Sequence, residues 1–257
     1  MWRNVRVAVL LLILFWAATH TWLERLASTS WKDALWVGVF PINADGTAAA
    51  QSYIDTLDDS SFNDIEEFIA REAHRYGRNL SQPVHMALYP QLKQLPPRLE
   101  RDAGAAGAAL WSLRLRWFAW RTLDFGGRAP PRIRLLVMYH DPAFLQTVPD
   151  SHGLQKGLVG VVHCFAARAQ AGENNIVIAH ELLHTLGATD KYDPASGLPL
   201  IPAGLGNPQQ DPLYPQATAE IMAGRRALSE RDSQMPPALS GVVVGAVTAA
   251  EIRWTHP

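Results

Sequence analysis

Charged residues and cysteine are scarce in this sequence, and each scarcity limits the structures and functions that the chain can have. Charged residues make up 18% of the 257 residues, and 23 basic residues against 24 acidic ones leave a formal net charge of −1. Without a surplus of positive charge there is no extended field to attract a polyanion, so the composition argues against a nucleic-acid partner. Hydrophobic residues reach 48%, which excludes a disordered chain and predicts a substantial core.

The sequence has a single cysteine, Cys164, and therefore no internal disulfide. Its neighbours Val161, Val162 and Phe165 are apolar, and no nearby group is of the kind that activates a thiol. The sequence predicts a buried structural thiol at this position rather than a nucleophile.

The first 25 residues differ from the rest of the chain. Arg3 and Arg6 precede twelve consecutive apolar residues at 7–18, and residues 7–23 carry no formal charge. This length is close to the lower limit for a membrane-spanning helix, and tryptophans near both ends of the run suit the membrane interface. We predict a signal anchor at residues 1–25, which would attach the protein to a membrane with the remaining chain outside the cytoplasm. A cleaved signal peptide, and hence a secreted protein, is the alternative.

The exported part alternates between strand-like and helix-like patterns and predicts an α/β (α+β) fold. Short apolar runs bounded by turn residues predict strands, and apolar residues recurring every three to four positions behind a capping residue predict helices. The predicted strands are residues 35–41, 84–89, 133–139 and 157–165, and the predicted helices are residues 59–76, about 98–123, a segment starting near 173, and 247–254.

The segment 98–123 fits two patterns. Trp111, Leu115 and Phe118 share one face of a helix, whereas apolar and polar residues also alternate there as in a strand. We predict mostly helix. Its interleaved arginines and tryptophans indicate either a core helix with a solvated arginine face, which we favour, or a surface that faces a membrane.

The composition changes after Gly187. Proline, glycine, asparagine and glutamine dominate residues 194–215, which predicts irregular structure. Residues 31–257 are therefore predicted to form one domain with a sheet-containing half, 31–187, and a loop-rich half, 188–257, that ends in a helix.

Residues 180–190, HELLHTLGATD, lie where the two halves join. His180 and His184 are four residues apart, so on a helix both imidazoles project from one face and reach one metal ion. Glu181 is placed to contact a water on that metal without binding the metal itself. Gly187 follows at a position where a helix ends in left-handed geometry, and Asp190 comes three residues later, where its carboxylate can return to the metal. Three ligands and one open position are typical of catalytic zinc.

These residues resemble the signature of the metzincin metallopeptidases, H-E-x-x-H-x-x-G-x-x-H/D. The version that ends in Asp, found in snapalysin-type enzymes, matches at His180, Glu181, His184, Gly187 and Asp190. Metzincins also have a methionine-containing turn beneath the metal, and residues 219–224 (AEIMAG) are similar to it. On this resemblance Met222 belongs to the turn. The order of predicted strands and helices is similar to the metzincin layout over nearly all of the exported part.

The resemblance implies a twisted mixed sheet and a zinc-dependent endopeptidase (a hydrolase). The zinc would be held by His180, His184 and Asp190, and Glu181 would act as general base towards the metal-activated water that attacks the peptide carbonyl. The partner would be a peptide or protein substrate, extended along a sheet edge around residues 152–160. Tyr192 is a candidate for stabilising the transition state.

Several alternatives stay open at this stage. Asp193 is close enough to compete with Asp190 as third ligand. A zinc peptidase of another kind would use a downstream glutamate, and a membrane-tethered binding protein of the same fold would cut nothing. Glycines in the edge segment either let a peptide backbone approach or mark turns. The residues concerned are Glu220, Glu230 and Glu251 as ligands; His140, His152 and His163 as further metal-ligating candidates; and Gly153, Gly157 and Gly160.

Overall fold

Strands and helices alternate along the chain up to residue 186, beyond which loops predominate. The structure is a computed structural model that describes residues 6–7, 28–100, 104–154 and 158–255. Its main strands are β1 (Leu35–Asn43), β2 (Val84–Leu88), β3 (Ile133–His140), β4 (His152–Leu154) and β5 (Val159–Phe165). The helices are α1 (Ala48–Ile54), α2 (Asn63–Arg75), α3 (Ala105–Thr122), α4 (Ala171–Leu186) and α5 (Ala246–Glu251), with short 3₁₀ turns at Asp59–Phe62, Arg168–Gln170 and Leu239–Gly241.

The five strands form one mixed sheet in the order β2-β1-β3-β5-β4. The first four are parallel to one another, and β4 pairs antiparallel with β5 and forms an edge. Nearly every residue of β1 and β3 is buried, as expected for strands covered on both faces. The predicted α+β class is confirmed. Strand ends shift by one or two residues, and the edge strand β4 lies within the segment predicted to line a sheet edge.

Helices cover both faces of the sheet. Alternate residues of a strand point to opposite faces, and in β1 the side chain of Val39 joins the core beneath α2 and α4, whereas that of Phe40 joins the core beneath α3. Cys164, on β5, is fully buried in the first of these cores. Burial raises the pKa of its thiol, which agrees with the structural role predicted for it.

The helix predicted over residues 98–123 is confirmed as α3, and the alternative strand is wrong. Trp111, Leu115 and Ala119 face the sheet and are buried. The opposite face differs from the solvated arginine face that we favoured, because leucines and tryptophans are exposed on it among the arginines. The hydrophobic spacing was correct for the buried face, but it does not indicate what the other face contacts.

The loop-rich half packs against the same core as the sheet. Short strand pairs form between β6 (Ala219–Glu220) and β9 (Val242–Val243) and between β7 (Arg226–Ala227) and β8 (Ser233–Gln234). Side chains of this half, among them Met222 and Trp254, lie in one hydrophobic cluster with the strands. The Trp31 indole N–H donates to the Ile252 carbonyl at 2.7 Å, a contact between the two ends of the domain.

The predicted signal anchor, residues 1–25, lies outside the described residues apart from Arg6 and Val7. Within the part of the chain that the structure describes, no helix combines the length and the hydropathy needed to cross a membrane.

Candidate metal centre

Two imidazoles and one carboxylate converge at the end of α4. His180 and His184 lie one turn apart on this helix, and their Nε2 atoms are 3.2 and 3.1 Å from the same oxygen, Oδ1 of Asp190. The backbone brings Asp190 there because Gly187 ends the helix with a φ of 104°, a left-handed conformation that only glycine adopts at low cost. All three predicted metal ligands therefore lie together.

Backbone carbonyls fix the orientation of both rings. Nδ1 of His180 is 2.9 Å from the carbonyl oxygen of Ile221, and Nδ1 of His184 is 2.8 Å from that of Ala188. A carbonyl only accepts hydrogen bonds, so Nδ1 carries the proton in each ring and the lone pair of the neutral ring is on Nε2, directed at Asp190. Metal-ligating histidines in proteins are held in the same way.

Glu181 lies beside this cluster. One atom from each of His180, Glu181 and His184 falls within a set whose members are all within 4.8 Å of one another. The Glu181 carboxyl is buried, and among the described residues its Oε2 has no hydrogen-bond partner. Burial raises the pKa of Glu181, and the neighbouring His180 and His184 act in the opposite direction. A buried carboxylate oxygen without a partner is energetically costly, and such groups are found more often at functional sites than elsewhere.

Asp190 is anchored by the residues on either side of it. The Lys191 ammonium donates to the Thr189 carbonyl at 2.7 Å and to the Glu251 carboxylate at 2.9 Å, and Glu251 also accepts from the Thr189 backbone N–H. Burial of Asp190 alone would raise its pKa, but the neighbouring His180 and His184 rings outweigh burial and lower it. The ionised carboxylate therefore stays directed at the imidazoles.

The other acidic candidates have different partners. Asp193 accepts from the Ala195 N–H and the Ser196 hydroxyl, which is a local turn rather than a contact with the histidines. Glu251 accepts from Lys191 and so stabilises the loop that carries Asp190, and Glu230 is exposed. Glu220 lies beneath the site with its carboxylate directed into the loop-rich half. Of these acidic residues only Asp190 contacts both His180 and His184.

The predicted methionine turn lies directly beneath α4. Met222 is fully buried, and its carbonyl accepts from the Lys191 N–H at 2.9 Å. The turn is held by Glu220, whose two carboxylate oxygens accept from four donors: the backbone N–H groups of Met222, Ala223 and Gly245 and the hydroxyl of Thr248. Because the Ile221 carbonyl orients His180, this turn supports one ligand directly.

Tyr192 lies at the rim of the site and is half-buried. Burial, with the nearby carboxylates of Asp190, Glu181 and Asp150, raises the pKa of its phenol, so the hydroxyl keeps its proton at neutral pH. Its role in stabilising a transition state stays a prediction.

The edge strand β4 runs along α4. A Cβ atom placed on Gly153 would lie 2.5 Å from Cβ of His184 and 2.6 Å from the carbonyl oxygen of Glu181. The glycine is therefore required by the close approach of α4, whereas the sequence had suggested either a turn or the approach of a substrate backbone. Gly160 lies within β5, and Gly157 lies outside the described residues.

The three other candidate histidines, His140, His152 and His163, line a cavity of about 770 Å³ on the α3 side of the sheet, next to β4. His140 bridges Asp45 and His163, with nitrogen-to-partner distances of 2.9 and 2.8 Å. Burial lowers the pKa of His163 to about 4, and electrostatic repulsion from the neighbouring His140 and His152 acts in the same direction. Burial likewise lowers the pKa of His152. These side chains do not reach the cluster at Asp190 and face the cavity instead.

Four supporting groups were not identified from the sequence: the Ile221 and Ala188 carbonyls, the Glu220 carboxylate that holds the methionine turn, and the Lys191–Glu251 pair. Ala188 lies just past the glycine that ends α4, and that position is a usable sequence signal. Apart from the contacts of Glu220 with Met222 and Ala223, the others join positions 25 to 60 residues apart, and no local pattern marks them.

No protein family model matches this chain, and no curated protein matches it significantly. The donor set itself therefore has to decide which metal fits. Two imidazole nitrogens and one carboxylate oxygen on a single face, with orienting partners behind them, suit a three-ligand zinc site better than the all-oxygen sites of calcium or magnesium.

Proposed function

We propose that this chain is a zinc-dependent endopeptidase of the metzincin type, with its catalytic domain outside the cytoplasm and its N-terminal segment in a membrane. The observation that carries the proposal is the convergence of the His180 and His184 Nε2 atoms on Asp190, with the Glu181 carboxyl buried beside them. The mixed sheet with an antiparallel edge strand along the metal helix and the buried methionine beneath it also support the proposal.

His180, His184 and Asp190 would hold the metal. Zinc, when bound, supplies Lewis acidity that polarises a peptide carbonyl and makes a water molecule acidic near neutral pH. The chain's own contribution is to orient both imidazoles through the Ile221 and Ala188 carbonyls, so that each Nε2 can face the metal, and to exclude bulk water from the buried side of the site.

Glu181 would move the proton. Its Oε2 is buried and free of competing donors among the described residues, so it can accept the proton of the attacking water and then pass it to the amine that leaves. Burial raises the pKa of this carboxyl, which makes it a better base than a solvated glutamate. Tyr192, at the rim of the site, would be the donor to the developing oxyanion.

The substrate would bind as an added strand. β4 pairs with β5 along one side only, so an extended peptide can pair with its other side. A substrate side chain opposite His152 would lie on the same face of the sheet as His152, above the cavity next to β4. That geometry favours cleavage within an extended, unfolded segment.

The decisive experiment measures zinc and hydrolysis in matched variants of the full chain. We expect one zinc per chain by elemental analysis and cleavage of members of a peptide library. Glu181→Gln should keep zinc and lower kcat/KM by about 10²–10⁴-fold, the range for loss of a general base. His184→Ala should lose both, and Glu173→Gln, on the same helix, should change neither.

Each outcome separates the alternatives. A chain without stoichiometric zinc contradicts the proposal. A wild type that holds zinc but cleaves no peptide of the library identifies a non-catalytic metal-binding protein of this fold. Activity that persists in Glu181→Gln shows that another group is the base.

A further inference from the structure

The outer face of α3 carries a continuous apolar stripe. Leu110, Leu113, Trp117 and Trp120 are 48%, 55%, 60% and 73% exposed, and their spacing of three, four and three residues places them on one side of the helix. The Trp117 and Trp120 rings are neighbours, with centroids 5.0 Å apart. Single exposed apolar residues are common on protein surfaces, but a contiguous stripe of this kind indicates a binding surface.

Positive charge accompanies the stripe. Arg114 and Arg121 are exposed next to it, and the sequence of α3 contains no acidic residue. A face that combines leucine, paired tryptophan and arginine is complementary to a lipid surface whose headgroups are anionic, since indoles prefer the depth of the headgroups and guanidinium groups bind phosphate.

We propose that α3 docks on the surface of a membrane that contains anionic lipids. The apolar run at residues 7–18, predicted to anchor the chain, would supply the attachment, and α3 would then fix the orientation of the domain on the bilayer. This inference does not depend on the metal site. Because α3 and α4 pack on opposite faces of the sheet, docking places the sheet between the bilayer and the metal centre.

A second copy of the chain fits this face less well. A symmetric dimer pairs the same patch with itself, so Arg114 and Arg121 of one copy would approach the same arginines of the other. Anionic headgroups neutralise these arginines, and a second copy repels them.

Spin labels on the full chain test the proposal. Leu113→Cys and Trp120→Cys would each be labelled in nanodiscs that contain phosphatidylglycerol, and Val247→Cys provides the control, because Val247 is an exposed apolar residue of α5 on the other side of the sheet. The native Cys164 is buried and should not react. We expect labels at 113 and 120 to be more accessible to oxygen than to a water-soluble nickel complex, as in lipid, and the label at 247 to show the reverse.

A charge variant separates lipid docking from other contacts. Arg114→Gln with Arg121→Gln should lower the ratio of docked to undocked label about 25-fold in phosphatidylglycerol discs, at about fivefold for each arginine, and should have little effect in neutral phosphatidylcholine. Labels at 113 and 120 that are as water-accessible as the label at 247 would overturn the proposal. Labels shielded from both reagents would also overturn it, because they indicate a protein partner or a second copy.

Discussion

Asp190 and Asp193 carry the same side chain three residues apart, but their surroundings differ. Asp190 contacts both imidazoles, whereas Asp193 closes its own turn through Ala195 and Ser196. We therefore expect Asp190→Asn to weaken zinc binding by more than about 100-fold, the upper value for groups that only orient ligands. Asp193→Asn should leave zinc affinity unchanged. Chelator competition measures both, and equal losses in the two variants would refute the assignment.

Gly153 provides a second test at the scale of one residue. An alanine Cβ there would overlap His184 and the Glu181 carbonyl, so β4 must move away from α4. We expect Gly153→Ala to lower kcat/KM about 100-fold, because a displacement of about 1 Å at an active site has that effect, with a loss of about 1–3 kcal/mol in the free energy of unfolding.

Gly104→Ala is the matched control, because no atom of the described residues lies within 4 Å of a Cβ built at that glycine. Peptide hydrolysis and denaturant unfolding would be measured for both variants. A Gly153→Ala enzyme with wild-type kcat/KM would show that the approach of β4 to α4 does not matter for catalysis.

At the scale of elements, the turn at residues 219–224 and helix α4 act together through two contacts. Glu220 fixes the turn, and the turn places the Ile221 carbonyl against His180. Glu220→Gln replaces one acceptor oxygen with a donor that faces two N–H or O–H groups. We expect the free energy of unfolding to fall by about 2–4 kcal/mol and zinc affinity to fall by about 10–100-fold.

Glu230→Gln serves as control for this variant, because Glu230 is exposed. Thermal or denaturant unfolding gives the stability, and chelator competition gives the affinity. If Glu220→Gln loses stability but binds zinc as the wild type does, the turn supports the fold and has no part in orienting His180.

Local patterns account for the elements that were predicted correctly. The H-E-x-x-H spacing, the left-handed Gly187 and the apolar runs of β1 and β3 all act within a few residues of one another, so the sequence displays them directly. Other features depend on which segments meet in space: the hydrogen bonds of Glu220, the Lys191–Glu251 pair and the steric need for glycine at position 153. For example, β4 pairs with the sheet next to α4, and no periodicity along the chain predicts that arrangement. The outer face of α3 was misjudged for a related reason, since spacing identifies a buried face but not the partner of the opposite one.

At the scale of the whole molecule, the buried histidines predict a dependence of stability on pH. Burial first, and then the neighbouring His140, His152 and Arg98, lower the pKa of His163 to about 4 in the folded protein, against about 6.5 when unfolded. Between these values the unfolded state binds more protons, so the free energy of unfolding should fall as the pH drops from 6.5 to 4. Above pH 6.5 this histidine is neutral in both states and contributes no pH dependence.

His163→Gln should flatten that part of the profile. The measurement is denaturant unfolding of both proteins from pH 4 to 8 with a zinc chelator present, so that protonation of His180 and His184 affects both alike. Parallel profiles for the wild type and the variant would show that His163 does not titrate in this range.

The contact between His180 and the Ile221 carbonyl also sets an order of events during biosynthesis. A chain that crosses a membrane from its N-terminal side delivers α4 before the segment that orients His180, which follows 41 residues later. The Trp31 to Ile252 contact, between residues 221 positions apart, forms later still. We expect a partly translocated chain to hold both histidines and Glu181 without a stable metal site. If the chain is the exported endopeptidase proposed above, it would gain activity only after residues 219–224 have crossed the membrane, and it would not cut itself before then.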